Sequence, residues 1–480
     1  MKKTKLLQTL QSLNPEERKK WPAFLESPLA HAHRDAVRLA QLISTQTGAP
    51  GGPAPDKRAV FAAVYGPDAP YDELRFNNIV SDLYGVLLDF LAHLDREANP
   101  LQKQAEKVWT LLNRHLDKQA AQEHKKWRTL LDQNPERDAR WMRLEAQWWE
   151  CLDLLHHRQA RQPTGEFLQR QAETTFTTHR LENMRLAIAA LNRGTLAITS
   201  DEQAPDWFRR LQAGTFGDPE APAPPALALY TATLILLQEP SDAHFYALTR
   251  LLENHPTVVP RPERLALYQC AINYCIRRIN DGKSEAYTDI LHLYKQLINQ
   301  DLLVQNGVLS QWTYKNIATA GLRSGEYTWT ESFLTSHSRH LPEADRNSAL
   351  AFNLASLQFE KGAYPDALRT LQGVDFTDIT YHLGAKILQI KVFYITDEPA
   401  ILRALLAATR QLIRRTRSLS AFGKTTNLNF LSALQQIAKL KENHHRKNSP
   451  AWRELRRKIE EMHPLANKDW LLRITAIGYR

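Results

Sequence analysis

Asn316-Ile317-Ala318, Leu322, Gly325, Tyr327, Thr330 and Leu334 return 37 residues later as Asn353-Leu354-Ala355, Phe359, Gly362, Tyr364, Ala367 and Leu371. A repeat of this length holds two helices and a turn. Glycine at the same place in both copies marks that turn, because a residue without Cβ enters the left-handed backbone region freely. The pattern predicts a helical hairpin: the first helix closes on small Ala318 or Ala355, the chain reverses at Gly325 or Gly362, and Tyr327 or Tyr364 fills the space beside the turn. No single hairpin buries its apolar face alone, so such units stack. A looser third copy begins near Leu265, where Asn273 stands nine residues before Gly282, the interval that separates Asn316 from Gly325 and Asn353 from Gly362.

These residues resemble tetratricopeptide repeats, with Tyr314 at the family's early aromatic position and Pro342 at the end of the second helix. The period is longer than the usual ~34 residues, Thr330 stands where the family has a small alanine, and Ile379 where it has proline. The resemblance implies an all-α chain, an α-solenoid of tetratricopeptide-like helical hairpins behind an N-terminal helical head. It further implies that Asn273, Asn316 and Asn353 lie on inner helices and hydrogen-bond the backbone of an extended partner peptide. Lys315, Thr319, Arg323, Phe352 and Ser356 fall on the same implied face. An amide suits a peptide unit because it offers both donor and acceptor, and Arg323 could hold a carboxylate. The alternative is that the asparagines only tie neighbouring helices together. The stretches Asn273 to Arg278, Asn316 to Phe333, Leu412 to Arg415 and Asn429 to Leu431 are also similar to a group of uncharacterised helical proteins common in Bacteroidota.

Outward from the repeats, 480 residues exceed one compact core and suit several domains or an extended stack. Charged residues at 24% and apolar residues at 43% are those of a folded globular protein. The three cysteines, Cys151, Cys270 and Cys275, show no Cys-x-x-Cys spacing, and an odd number cannot all pair, so a reducing cytoplasm is the expected home. The N-terminus carries no secretory pattern. The most apolar run, Leu227 to Leu237, is too short to cross a bilayer, so no membrane insertion is expected.

Four regions are expected. Residues 1–97 form a helical head, with a strong cap at Asn14-Pro15-Glu16-Glu17, a loop at 47–55 and a long apolar stripe from Leu74 to Leu91. Residues 98–217 are helical and tryptophan-rich, with Trp109, Trp127, Trp141, Trp148, Trp149 and Trp207; a core role is expected for these rings in preference to a base-stacking platform. The proline-rich stretch 218–225 ends that region. Residues 226–395 hold the repeats, and 396–480 form a basic helical end.

The sequence carries no Gly-rich phosphate loop, no Gly-x-Ser-x-Gly elbow and no His-Glu-x-x-His helix. No catalytic residue, cofactor or metal is therefore assigned. The pairs His156-His157 and His444-His445, with His31 and His33, read as surface histidines, since adjacent helical residues point about 100° apart and chelate one ion poorly. Cys270 and Cys275 read as core filler.

The whole net charge of +10 resides in residues 396–480, which hold 17 Lys or Arg against 7 Asp or Glu. Arg403, Arg410, Arg414 and Arg417 would form one stripe on a continuous helix, and Arg446-Lys447, Arg453 and Arg457 follow. Such a surface suits an acidic partner or a nucleic-acid backbone, against the alternative of an ordinary solvated face diluted by Glu454, Glu460 and Glu461. The leading expectation is a non-enzymatic scaffold that docks a segment of another protein in a groove. The second is a nucleic-acid- or ribosome-associated factor acting through the basic end.

Overall fold

Several helices begin where the sequence supplies a capping side chain, among them those after Asn14, Asp72, Ser241 and Asp378. Asn14 accepts from the backbone N–H of Glu16 and Glu17 and donates its own N–H to Glu17 at 2.8 Å, closing a capping box with Pro15 at the first helical position. The computed structural model describes residues 4–30, 33–46, 56–159, 165–192, 224–443 and 449–476. The loop at 47–55, His31, Trp207, the stretch 218–223, His444-His445 and Arg446-Lys447 lie outside the described residues. Among the described residues the protein is all-α, with no strand beyond an isolated bridge between Gln305 and Val308, and no helix long and apolar enough to cross a membrane.

The described residues form two compact units. Those up to Ala187, with 224–227 and Thr257–Val259, make the first, and the remainder make the second. In the first unit, α1 (Lys5–Ser12), α2 (Pro15–Leu25) and α3 (Arg34–Gln46) pack on the long α5 (Glu73–Glu97), and α4 (Lys57–Tyr65) packs on α3. Their shared core runs from Leu6 and Trp21 to Leu87 and Phe90. Next, α6 (Pro100–Leu112), α7 (Asp117–Gln133) and α8 (Ala139–Gln159) pack mutually, followed by α9 (Glu166–Asn192). The tryptophans hold this group. Trp127, Trp141 and Trp148 are buried, the Trp141 indole donates to the Leu131 carbonyl, and the Trp148 indole donates to the His124 carbonyl. His124 stacks on Trp148 at 4.4 Å, and burial holds its imidazole below its ordinary value. Rings buried in this way, two of the three with their N–H groups bonded, fill a core and leave no face for a base.

The second unit contains α10 (Pro225–Gln238), α11 (Asp242–Asn254), α12 (Arg261–Asn280), α13 (Ala286–Asn299), α14 (Gln311–Arg323), α15 (Tyr327–His337), α16 (Glu343–Glu360), α17 (Tyr364–Leu371), α18 (Ile379–Ile395), α19 (Pro399–Arg415), α20 (Ala421–Glu442), α21 (Pro450–Glu461) and α22 (Lys468–Thr475), with α10 entering from Ala228. Both copies of the repeat are helical hairpins, α14–α15 and α16–α17. Gly325 at φ 74° and Gly362 at φ 78° make the two turns, as the spacing predicts. Tyr314 is fully buried and its hydroxyl donates to the Leu334 carbonyl at 2.7 Å, tying α14 to α15.

The substitution of Thr330 for the expected small residue has a local compensation. A Cβ at Gly321 would stand 2.1 Å from the Thr330 hydroxyl, so the small residue has moved to the facing helix. In the second hairpin the pair is Gln358 and Ala367, with the small partner on the other side. Close approach of two helices needs one small residue at the crossing, on either one.

The first helices of successive hairpins also touch, α14 on α16 and α16 on α18. A further core joins Leu383 and Ile390 of α18 to Phe430, Trp452, Trp470 and Ile474, and so lies on both sides of residue 396.

Candidate functional site

The 37-residue period decides which side chains meet. On α14, Lys315, Thr319, Leu322 and Arg323 share a face, and one period later Phe352, Ser356, Phe359 and Glu360 occupy the matching positions of α16. Because α14, α16 and α18 lie side by side, these faces line one cleft of about 210 Å³, closed by Gly384, Ile387, Leu388 and Lys391 of α18 and by Asn467. Four of the residues expected in a groove, Thr319, Arg323, Phe352 and Asn353, therefore come together, with Lys315 and Ser356 beside them.

The floor is aromatic and the walls are cationic. The Lys315 ammonium lies 5.3 Å from the Phe352 ring and 5.5 Å from Tyr381, and burial holds it below the usual lysine value. Lys391 is buried, with 8% exposure, and its ammonium donates to Asn467 Oδ1 at 2.6 Å and lies 5.3 Å from the Trp470 ring. Burial chiefly, then the charges of Arg323 and Arg473, push its pKa down to about 7 against the weaker opposing pull of Glu360. Thr319 and Ser356 donate their hydroxyl protons to carbonyls one turn back, at Lys315 and Phe352, which leaves their oxygens to accept.

The asparagine ladder does not form as the sequence suggests. Asn353 is 2% exposed and spends its N–H on the Ala349 carbonyl at 2.8 Å, so it braces α16. Asn316 is exposed but lines a different cleft, of about 600 Å³, with Gln269, Ile272, Ile276, Tyr294 and Val308. Asn273 is exposed on α12 and accepts from Gln269 at 2.9 Å. The reason is geometric. α14 packs on α16 but makes little contact with α12, so the period that aligns α14 with α16 does not carry back to α12.

The basic end is also rearranged. α19 stops at Arg415, and Thr416 is extended at ψ 113°, so Arg417 lies beyond the helix and does not extend the stripe. Arg403 pairs with Glu442 at 2.6 Å, and Arg410 donates to Gln435 at 2.9 Å. Arg457 bridges Glu454 at 3.0 Å and Glu461 at 2.8 Å. Arg414, Arg417 and Arg453 are exposed.

Cys151, Cys270 and Cys275 are free and buried, and burial pushes their thiols up to about 12, 11 and 12. Among the described residues no group of three or more His, Cys, Asp or Glu side chains is placed to hold a metal ion. Lys391, Gly384 and Asn467 are among the cleft residues that sequence reasoning missed. The available signals were a lysine inside the apolar run Ile387 to Phe393 and a glycine inside a helical pattern. Comparison of the chain with protein-family models, with curated proteins and with solved structures finds no match.

Proposed function

We propose that this protein is a non-enzymatic binding scaffold, a solenoid of tetratricopeptide-like hairpins that docks a segment of a partner protein in the cleft between α14, α16 and α18. The observation that carries the reading is the set of repeat-equivalent side chains, Lys315 with Phe352, Thr319 with Ser356 and Leu322 with Phe359, facing one cleft. An aromatic floor gives a docked segment apolar area to bury, and hydroxyl and amide groups on the walls meet its peptide units. The free, buried cysteines fit a reducing cytoplasm.

The runner-up, nucleic-acid binding through the C-terminal arginines, draws on Arg414, Arg417 and Arg453. It is weaker because Arg403 and Arg457 already hold carboxylates, and each internal pair removes a charge that would otherwise displace a phosphate counterion.

The test is site-specific photo-crosslinking in the native host. A photoreactive residue at Thr319 or Ser356 is expected to capture a partner that the same residue at exposed Asp366 does not. Equal capture at all three positions, from a normally folded protein, would refute the docking site.

A further inference from the structure

We propose that Lys391, Arg323 and Asn467 form a subsite for one carboxylate of the docked segment. The proposal rests on the scaffold reading and goes further, by naming the chemistry that the segment must carry.

Lys391 is an unusual occupant of its position. Lysine is almost never fully buried without a counter-ion, since desolvating an ammonium is costly. Here, among the described residues, no carboxylate lies within ion-pair distance of Lys391, Lys315 or Arg323. Among the described residues the Lys391 ammonium has one hydrogen-bond acceptor, the neutral amide of Asn467, and an ammonium has three N–H groups to give. Around it stand Arg323 from α14, Glu360 from α16 and Arg473 from α22, with the Phe359 and Trp470 rings alongside. Two arginines against one glutamate leave this end of the cleft positive. Since Lys391 and Arg323 both line the cleft, an anion entering it reaches both.

A carboxylate placed there supplies the missing counter-charge and accepts from the ammonium and the guanidinium together. The ammonium is already out of water, so only the carboxylate adds a desolvation cost to the contact. The same environment links binding to pH. With its value near 7, Lys391 is partly deprotonated at neutral pH in the empty cleft, and an arriving carboxylate draws a proton onto it. Affinity therefore falls as pH rises above 7, by up to about tenfold per pH unit. It recovers none of this above the pKa of the occupied site.

The experiment uses full-length protein and a synthetic library of random N-acetylated 12-residue peptides, made once with a free C-terminal carboxylate and once as the amide. Wild type is expected to enrich peptides carrying Asp or Glu at a fixed position in both libraries if a side chain is the source. If the chain terminus is the source, the acid library alone gives enriched peptides. Lys391→Gln is expected to abolish the acidic preference and Lys391→Arg to keep it, with the pH dependence of the arginine variant flat from pH 6 to 9. Arg323→Gln, at an exposed position, gives a second readout that does not disturb the core, and is expected to weaken the acidic peptides about tenfold. Peptides enriched without any acidic preference, or a preference that survives Lys391→Gln, would overturn the subsite while leaving the docking cleft in place. No enrichment over a cleft-blocked Thr319→Trp variant would remove both.

Discussion

Gly384 sits in the middle of α18, where glycine costs a helix about 1 kcal/mol relative to alanine. Its place is explained by Phe352: a Cβ at 384 would stand 2.7 Å from Cε2 and 3.0 Å from Cζ of that ring. Ordinary carbon contacts are about 3.5–4.0 Å, so Gly384→Ala forces the ring back by about 1 Å. The ring is not free to move. Its edge meets Tyr381 at 5.4 Å and its face meets the Lys315 ammonium. Overpacking of this kind costs about 1–3 kcal/mol, against the gain of about 1 from helix propensity. The net effect of Gly384→Ala alone is thus a loss of about 0–2 kcal/mol. In a Phe352→Leu background the clash is gone, and the same substitution should stabilise by about 1 kcal/mol. A double-mutant cycle read by urea denaturation should therefore give a coupling of about 1–3 kcal/mol between the two positions. Gly384→Ala should also weaken docking, because the displaced ring is the floor of the cleft. Equal stabilisation by Gly384→Ala in both backgrounds would show that the ring does not constrain residue 384 and that the cleft floor is not set as described.

Three further outcomes are expected. Gly325→Ala and Gly362→Ala should each destabilise by about 1–2 kcal/mol through backbone strain alone, since no atom lies within 4 Å of the added methyl, and an unchanged urea midpoint would contradict the left-handed turns. Arg278, 5% exposed, is held by Asp289 at 2.5 Å, Asp242 at 3.2 Å and Glu285 at 3.4 Å; Arg278→Met should cost about 1–3 kcal/mol, chiefly by leaving the largely buried Asp289 unpaired, and a loss below about 1 would show the network to be incidental. His124 is kept neutral by burial, so its folded form binds a proton less readily than its unfolded form. Stability of the first unit should then fall as pH drops below 6.5 and stay level above it, a slope that His124→Gln should remove in thermal scans across pH.

The sequence by itself determined the hairpins. Glycine at a fixed interval after Asn316 and Asn353 sets each turn by backbone sterics, and a 37-residue period sets which residues share a face, because both depend only on neighbours along the chain. That is why the shared face of Thr319, Arg323 and Phe352 is legible in the sequence. What the tertiary structure decided is how deep each residue lies and what covers it. Asn353 and Asn316 are equivalent in the repeat, yet one is buried in α16 and the other faces a separate cleft, since the helices over them differ. Lys391 meets Asn467 across 76 residues of chain, and Arg403 meets Glu442 across 39. Periodicity fixes direction around a helix axis; burial and charge pairing depend on segments that return from far along the chain, and only packing brings those into place.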